Sequence, residues 1–147
     1  MELEISEHVY PQTWLKKGSI TMEEKKVSFG GYVREKRLAA HVNLRKLAEI
    51  LEIAPAYMSD IENDHRYPPE KEKISKIAAA LHLTREETDY LFDLAAGNKK
   101  NSVSPDIADY IMEQDKSRVA LRLARDSGAG EKEWEQIIRI LEENKKK

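Results

Sequence analysis

The most constraining feature of this sequence lies between Leu44 and Asn63, where two short helical patterns are separated by only three residues. The separating residues, Glu52-Ile53-Ala54, are too few for anything but a tight turn. Pro55 follows at the first position of the second helix, where a missing N–H costs nothing. The positions that share the inner faces of the two helices are Leu44, Leu47, Ala48, Leu51, Met58, Ile61 and Glu62. This spacing is typical of a helix-turn-helix.

Three more amphipathic helices are predicted around this pair. One precedes it, and two follow a loop that carries His65, Arg66 and Tyr67. The last of them begins with a capping box, Thr84 and Glu87, and ends at Gly97. Their predicted inner faces are Phe29, Tyr32, Val33, Arg37 and Ala40; Ile74, Ile77, Ala78 and Leu81; and Tyr90, Leu91, Leu94 and Ala95. Residues 28–97 are therefore expected to fold as a five-helix, all-α domain.

Two charged residues fall on otherwise apolar faces of this domain. Arg37 lies on the inner face of the first helix, and Glu62 lies on the inner face of the third. A half-buried charge without a partner is costly. We therefore expect the two side chains to form an ion pair that ties the first helix to the third.

The residues from Phe29 to Gly97 resemble the Cro/repressor-type (XRE-like) helix-turn-helix family. The family pattern is S/N-L-R-x-L-A-x-x-x-G-I-S-x-x-x-[LMIV]-S-x-[IVL]-E, and this chain has N-L-R-K-L-A-E-I-L-E-I-A-P-A-Y-M-S-D-I-E. Pro68-Pro69 and Ala78-Ala79-Ala80-Leu81 match the loop and helix that follow, and the Arg37–Glu62 pair matches a recurrent salt bridge of the family. Glu52 replaces the usual glycine, and Ala54 replaces the usual serine cap. The resemblance covers about half of the chain and implies a lambda-repressor-like domain followed by a small helical segment.

The resemblance also implies a cytoplasmic transcriptional regulator, more often a repressor, that binds double-stranded operator DNA as a homodimer. By position, the third helix would enter the major groove. Neighbouring polar residues would contact phosphates. The DNA-binding positions implied in this way are Asn43, Arg45, Lys46, Pro55, Ala56, Tyr57, Ser59, Asp60, Asn63, His65 and Arg66. The third helix carries no Arg or Gln for the common bidentate base contacts, so we expect DNA shape and flanking contacts to supply part of the specificity.

The rest of the chain divides into an arm, a linker and a C-terminal segment. Residues 1–27 have no clean period, and codons for Lys16 to Met22 are compatible with a ribosome-binding site and a start codon. Residues 1–21 are therefore interpreted either as an extension upstream of the native start or as a short arm. Residues 98–105 are predicted to be a linker, after which residues 106–147 form short amphipathic helices.

The C-terminal helices carry apolar stripes that are too small to form a core alone. We expect them to dimerise, since regulators of this type bind paired half-sites as two-fold dimers. Packing within the monomer is one alternative. Another is a partner surface, as in an antitoxin that autoregulates its operon and binds a toxin through these helices. The predicted interface consists of Val119, Leu123, Trp134, Ile137, Ile138 and Leu141.

Composition argues against several other classes of function. The chain has no cysteine, its four histidines lack metal-ligand spacing, and no hydrolase or nucleotide-binding motif occurs. We therefore expect no catalytic residue, metal or cofactor, and no membrane partner. A net charge of -2 argues against indiscriminate coating of nucleic acid and leaves open an interaction module that does not bind DNA.

Overall fold

The fold is all-α, as predicted. A computed structural model describes residues 27–97 and 101–146, so the predicted N-terminal arm, except Val27, and linker residues Asn98–Lys100 lie outside the described part. Within it, eight helices follow one another without strands. They are α1 (Phe29–Ala39), α2 (Leu44–Ile50), α3 (Pro55–Glu62), α4 (Lys71–Ala80), α5 (Arg85–Ala96), α6 (Pro105–Glu113), α7 (Asp115–Asp126) and α8 (Glu131–Lys145).

The first five helices enclose one hydrophobic core. Helices α2 and α3 pack against each other, α1 packs on both α3 and α5, and α4 packs on α2 and α5. The residues at the centre are Val33, Leu47, Leu51, Met58, Ile61, Ile74, Ile77 and Leu91, all less than 2% exposed. Each of these side chains lies on a face that helical periodicity predicts to be inward.

The buried face of helix α5 differs from the stripe that its sequence pattern predicts. Tyr90 and Leu91 are buried as expected, whereas Leu94 and Ala95 are half-buried. Phe92, which lies off the predicted stripe, is only 5% exposed. The physical reason is that α5 packs on α1, α4 and α6, so its neighbours cover more than one face.

Several helices begin with a side-chain cap. Asn43 accepts a hydrogen bond from the backbone N–H of Lys46, and Ser28 accepts one from Gly31. Thr84 and Glu87 form the predicted capping box. Ala54 begins α3 without a side-chain cap, as its residue type requires.

The first four helices end in a left-handed residue that is not glycine. These residues are His41, Glu52, Asp64 and His82, with φ between 53° and 60°. After α2, the N–H of Ile53 donates to the carbonyl of Ala48 at 3.0 Å, the pattern of a Schellman motif. This position is the one at which the family pattern has glycine, so Glu52 adopts the glycine conformation at the steric cost of a side chain.

Replacing Glu52 with Gly is expected to stabilise the domain by about 1 kcal/mol, because glycine removes a left-handed strain of about 1–2 kcal/mol and loses part of that gain to unfolded-state entropy. The exposed Glu52–Lys76 ion pair, at 4.0 Å, contributes little against this gain. Urea unfolding followed by circular dichroism measures the change. The matched control is Glu49→Gly inside α2, which should destabilise by about 1 kcal/mol. An equal loss of stability in Glu52→Gly and Glu49→Gly would contradict the interpretation that Glu52 is strained.

The C-terminal helices are attached to the first five through α6. Ser104 donates a hydrogen bond to Asp93 of α5, and Lys71 of α4 lies 3.8 Å from Asp109 of α6. Burial first, and then the charge of Asp93, raises the pKa of the Asp106 carboxyl, whose buried Oδ1 has no hydrogen-bond partner in the described part of the chain. The attachment is therefore polar, and it disfavours the charged form of Asp106.

Helices α7 and α8 leave most of their apolar side chains open to solvent. Ser117 and Arg118 of α7 donate hydrogen bonds to the carbonyl of Ile111, which holds the corner between α6 and α7. Along α6, α7 and α8, no described residue is buried. No helix within residues 27–97 and 101–146 is both long and apolar enough to cross a bilayer.

Candidate nucleic-acid interface

The candidate interface is built on α2, the turn that follows it, and α3. Leu51 ends α2 as a buried residue, and the left-handed Glu52 reverses the chain so that α3 begins at Pro55. Met58 and Ile61 anchor the inner face of α3 in the core. The turn therefore fixes α3 across α2 and leaves the opposite face of α3 outside.

A buried ion pair fixes the C-terminal end of α3, as the sequence predicts. Arg37 donates from Nε to Glu62 Oε2 at 2.6 Å and from Nη2 to Glu62 Oε1 at 3.0 Å. Its Nη1 donates to the carbonyl of Val42 at 3.0 Å. Arg37 is 8% exposed and Glu62 is 5% exposed, and hydrogen bonding to Glu62 raises the pKa of Arg37 despite its burial. The pair is thus bidentate, and it fastens α3 to α1.

A second contact between α1 and α3 was not predicted. The backbone N–H of Gly30 donates to Asp64 Oδ1 at 3.1 Å, so a carboxylate from beyond α3 satisfies a free N–H in the first turn of α1. A Cβ atom on Gly30 would lie 2.2 Å from the carbonyl oxygen of Ile61. The start of α1 and the end of α3 therefore approach so closely that only glycine fits.

The outer face of α3 is accessible at every position that the sequence assigned to DNA. Pro55, Ala56 and Tyr57 are exposed, and Ser59 and Asp60 are half-buried. Asn63, just past the end of the helix, is exposed, and its Nδ2 donates to Ser59 Oγ at 3.4 Å. This surface offers hydroxyl, carboxylate and amide groups together with small apolar side chains.

Two further groups of predicted contacts lie beside α3. Asn43 lies at the start of α2, where its Oδ1 accepts the N–H of Lys46 at 2.7 Å. Arg45 and Lys46 follow it on the exposed surface of α2, and Lys46 lies 3.8 Å from Glu49. The second group, His65 and Arg66, lies in the exposed loop after α3.

The side chains of His65 and Arg66 turn towards α3, which sequence reasoning missed. Arg66 Nε lies 3.7 Å from Asp60 Oδ2, and the Arg66 guanidinium carbon lies 5.2 Å from the centre of the Tyr57 ring. His65 Nδ1 lies 3.9 Å from Asp60 Oδ1. The i, i+3 spacing of Tyr57 and Asp60 places them on one face of α3, but no sequence signal indicates where a loop side chain lies. Among the described residues, no cluster of His, Asp and Glu has the geometry of a metal site.

Comparison with known proteins gives a family match over the helix-turn-helix. Residues 33–87 match the family model described as helix-turn-helix. No curated protein matches the chain. Among solved structures, a chain of the SinR protein/SinI protein complex is similar at 19% identity and a TM-score of 0.39, with 81% of this chain and 99% of that chain covered.

The matched segment extends from the middle of α1 into α5, so it contains α2, the turn, α3 and the Arg37–Glu62 pair. These are the residues that carried the resemblance in the sequence. Residues 33–87 therefore belong to the Cro/repressor-type (XRE-like) helix-turn-helix family of DNA-binding transcriptional regulators.

Proposed function

We propose that this protein is a sequence-specific transcriptional repressor that binds a two-fold operator as a homodimer. The observation that carries the proposal is the outer face of α3, which is accessible and polar while two fixed contacts to α1 hold the helix in place. A rigid helix with an exposed polar face is what insertion into a major groove requires. The family match over the same helices supports the assignment.

Base contacts are assigned to α3. Ser59 can donate or accept at a base edge, Asp60 can accept from a cytosine amino group, and Ala56 can contact a thymine methyl group. Pro55 and Tyr57 are assigned to the edge of the groove, where Tyr57 would contact a phosphate or pack on a sugar. All five side chains are at least partly accessible to a duplex.

Phosphate contacts are assigned to the residues that flank α3. Asn43, Arg45 and Lys46 are exposed on one side, and Asn63, His65 and Arg66 are exposed on the other. Two such groups can contact the backbone on either side of a groove and so set the register of the domain. Because these contacts are electrostatic, affinity should fall steeply as salt rises.

Dimerisation is assigned to the C-terminal segment, residues 106–147. The proposed interface residues of α7 and α8 are accessible: Val119 is 51% exposed, Leu123 is 64% exposed and Leu141 is 62% exposed. Trp134 and Ile137 are each 38% exposed, and Ile138 is half-buried. Uncovered apolar stripes of this kind favour association with another surface, and a second copy would supply the two-fold symmetry that a paired operator needs.

The same open stripes support one alternative, an antitoxin whose C-terminal helices bind a toxin. In that case the apolar surface stays open in the free protein and is covered only by the partner. The two functions differ in the oligomeric state of the isolated chain.

The DNA-binding proposal is tested by selection from a random duplex library, followed by anisotropy titrations of the enriched duplex at several salt concentrations. We expect a two-fold motif, an affinity that falls with salt, and at least a 10-fold loss of preference over random DNA in a Tyr57→Ala/Ser59→Ala variant. Lys116→Ala, an exposed change on α7, is the matched control and should keep wild-type affinity. Failure of the wild type to enrich any motif would overturn the proposal.

The dimer is tested on the same samples by sedimentation equilibrium. We expect a dimer that Leu123→Glu/Leu141→Glu converts to a monomer whose far-ultraviolet circular dichroism is unchanged. A monomeric wild type that binds a single half-site would contradict the homodimer and favour the toxin-binding alternative, which co-purification with the neighbouring gene product then tests.

A further inference from the structure

Arg66 is placed differently from the other exposed cations near α3. Its guanidinium lies over the face of the Tyr57 ring, 5.2 Å from the ring centre, and its Nε edge faces Asp60 at 3.7 Å. A planar guanidinium on an aromatic face gains from cation–π attraction, and the nearby carboxylate attracts it as well. Two partners on the same face of α3 therefore draw a loop side chain onto the outer surface of the helix.

This orientation leaves the terminal nitrogens of the Arg66 guanidinium available as hydrogen-bond donors. Within the described residues, Asp60 and Tyr57 account for the interactions of this guanidinium, and no hydrogen bond occupies its terminal Nη atoms. The Arg66 side chain is still 56% exposed. An arginine whose Nε edge faces a carboxylate can present its two terminal nitrogens as donors in a fixed plane.

The amino-acid composition of α3 explains why an arginine on its surface matters for base recognition. The helix reads Pro-Ala-Tyr-Met-Ser-Asp-Ile-Glu and contains no Arg, Lys, Gln or His. An arginine that donates to O6 and N7 is the commonest specific contact to guanine. A contact of that kind can reach the α3 surface only from outside the helix, and Arg66 is the cation that lies against both Tyr57 and Asp60.

Asp60 also needs a partner in a DNA complex. Its side chain is 42% exposed on the face assigned to the groove, where the phosphates would repel an unpaired negative charge. Pairing with Arg66 removes that repulsion and orients the arginine at the same time. His65, 3.9 Å from the other carboxylate oxygen, flanks the pair on the loop side.

We propose that Arg66, stacked on Tyr57 and oriented by Asp60, is a specificity-determining residue that recognises guanine in the operator. This inference rests on the proposed function, because it assigns one base contact to a residue of the same proposed DNA-binding surface. Tyr57 and Asp60 act as positioning residues for Arg66. This role replaces the phosphate contact that the family resemblance implies for Arg66, and it differs because a phosphate contact would bind every sequence equally.

The test compares base preferences of single variants by library selection and by titration on the selected duplex and its single-base changes. Arg66→Lys keeps the charge and loses the planar donor pair, so it should reduce preference at one guanine position by roughly 5- to 150-fold, the usual value of one bidentate contact. It should leave the salt dependence unchanged. Asp60→Asn and Tyr57→Ala should weaken preference at that same position, and Tyr57→Phe, which keeps the ring, should not.

Arg45→Ala is the comparison for a phosphate contact and should weaken all duplexes alike, with a shallower salt dependence. If Arg66→Lys and Arg66→Ala follow that uniform pattern, the assignment to guanine is wrong while the proposed function stands. If Asp60→Asn changes a base preference that Arg66→Lys leaves intact, Asp60 contacts the base directly and the assignment is again wrong. A wild-type protein that enriches no motif would overturn the proposed function together with this inference.

Discussion

Glu62→Ala is expected to reduce the free energy of unfolding by about 3–5 kcal/mol, the usual cost of removing one partner from a buried ion pair. The change leaves the Arg37 guanidinium, 8% exposed, without the carboxylate that receives two of its hydrogen bonds. Urea unfolding followed by far-ultraviolet circular dichroism measures the loss. Because the pair joins α1 to α3, DNA binding should weaken at temperatures where the rest of the domain is still folded.

The control for this prediction is Arg37→Met/Glu62→Leu, which removes both charges and keeps apolar volume. Replacing a buried pair with well-packed apolar residues is often neutral or stabilising. The double variant should therefore be much more stable than Glu62→Ala. If both variants lose the same stability, the effect comes from packing or from the hydrogen bond to Val42 and not from the unpaired charge.

Gly30→Ala is expected to cost about 3 kcal/mol, at the upper end of the range for overpacking a core. The new methyl group would lie 2.2 Å from the carbonyl oxygen of Ile61 and 2.7 Å from that of Glu62, and backbone atoms cannot move aside as a side chain can. Relief requires α1 and α3 to separate, which would also lengthen the hydrogen bond from Gly30 to Asp64. Urea unfolding followed by circular dichroism also measures this loss of stability.

The adjacent glycine provides a matched control. A Cβ on Gly31 would meet only the Ser28 hydroxyl, at 2.9 Å, and that side chain can rotate away at the cost of its cap hydrogen bond, about 1 kcal/mol. Alanine is also the better helix former by about 1 kcal/mol. Gly31→Ala should therefore stay within about 1 kcal/mol of the wild type, and a comparable loss at both positions would contradict the close approach of α1 to α3.

The sequence predicts much of the fold because its signals are local. Apolar spacing locates the first five helices. Pro55 marks the start of α3 and Gly97 marks the end of α5, and the capping box at Thr84 is present as expected. Arg37 and Glu62 could be paired because each lies on an apolar face, where an isolated charge is costly.

The remaining features depend on contacts between distant parts of the chain. Periodicity cannot show that Gly30 lies against the end of α3, or that α5 has enough neighbours to bury Phe92. The position of Arg66 over Tyr57 depends on the path of a loop, which has no period. In the candidate interface, the sequence therefore predicts which residues are accessible, and the structure adds which of them act together.

The side-chain cap of α2 restricts which substitutions are tolerated at the edge of the candidate interface. Asn43 uses its carbonyl oxygen to hold the N–H of Lys46, which leaves its amide nitrogen as a donor at the edge of the proposed interface. Aspartate would keep the cap but bring a negative charge towards the phosphates, and serine would keep the cap with a shorter reach. If the proposed function holds, Asn43 both caps α2 and contacts DNA. Under that function, substitutions that alter operator preference are better tolerated on the outer face of α3, where no side chain caps a helix, than at the start of α2.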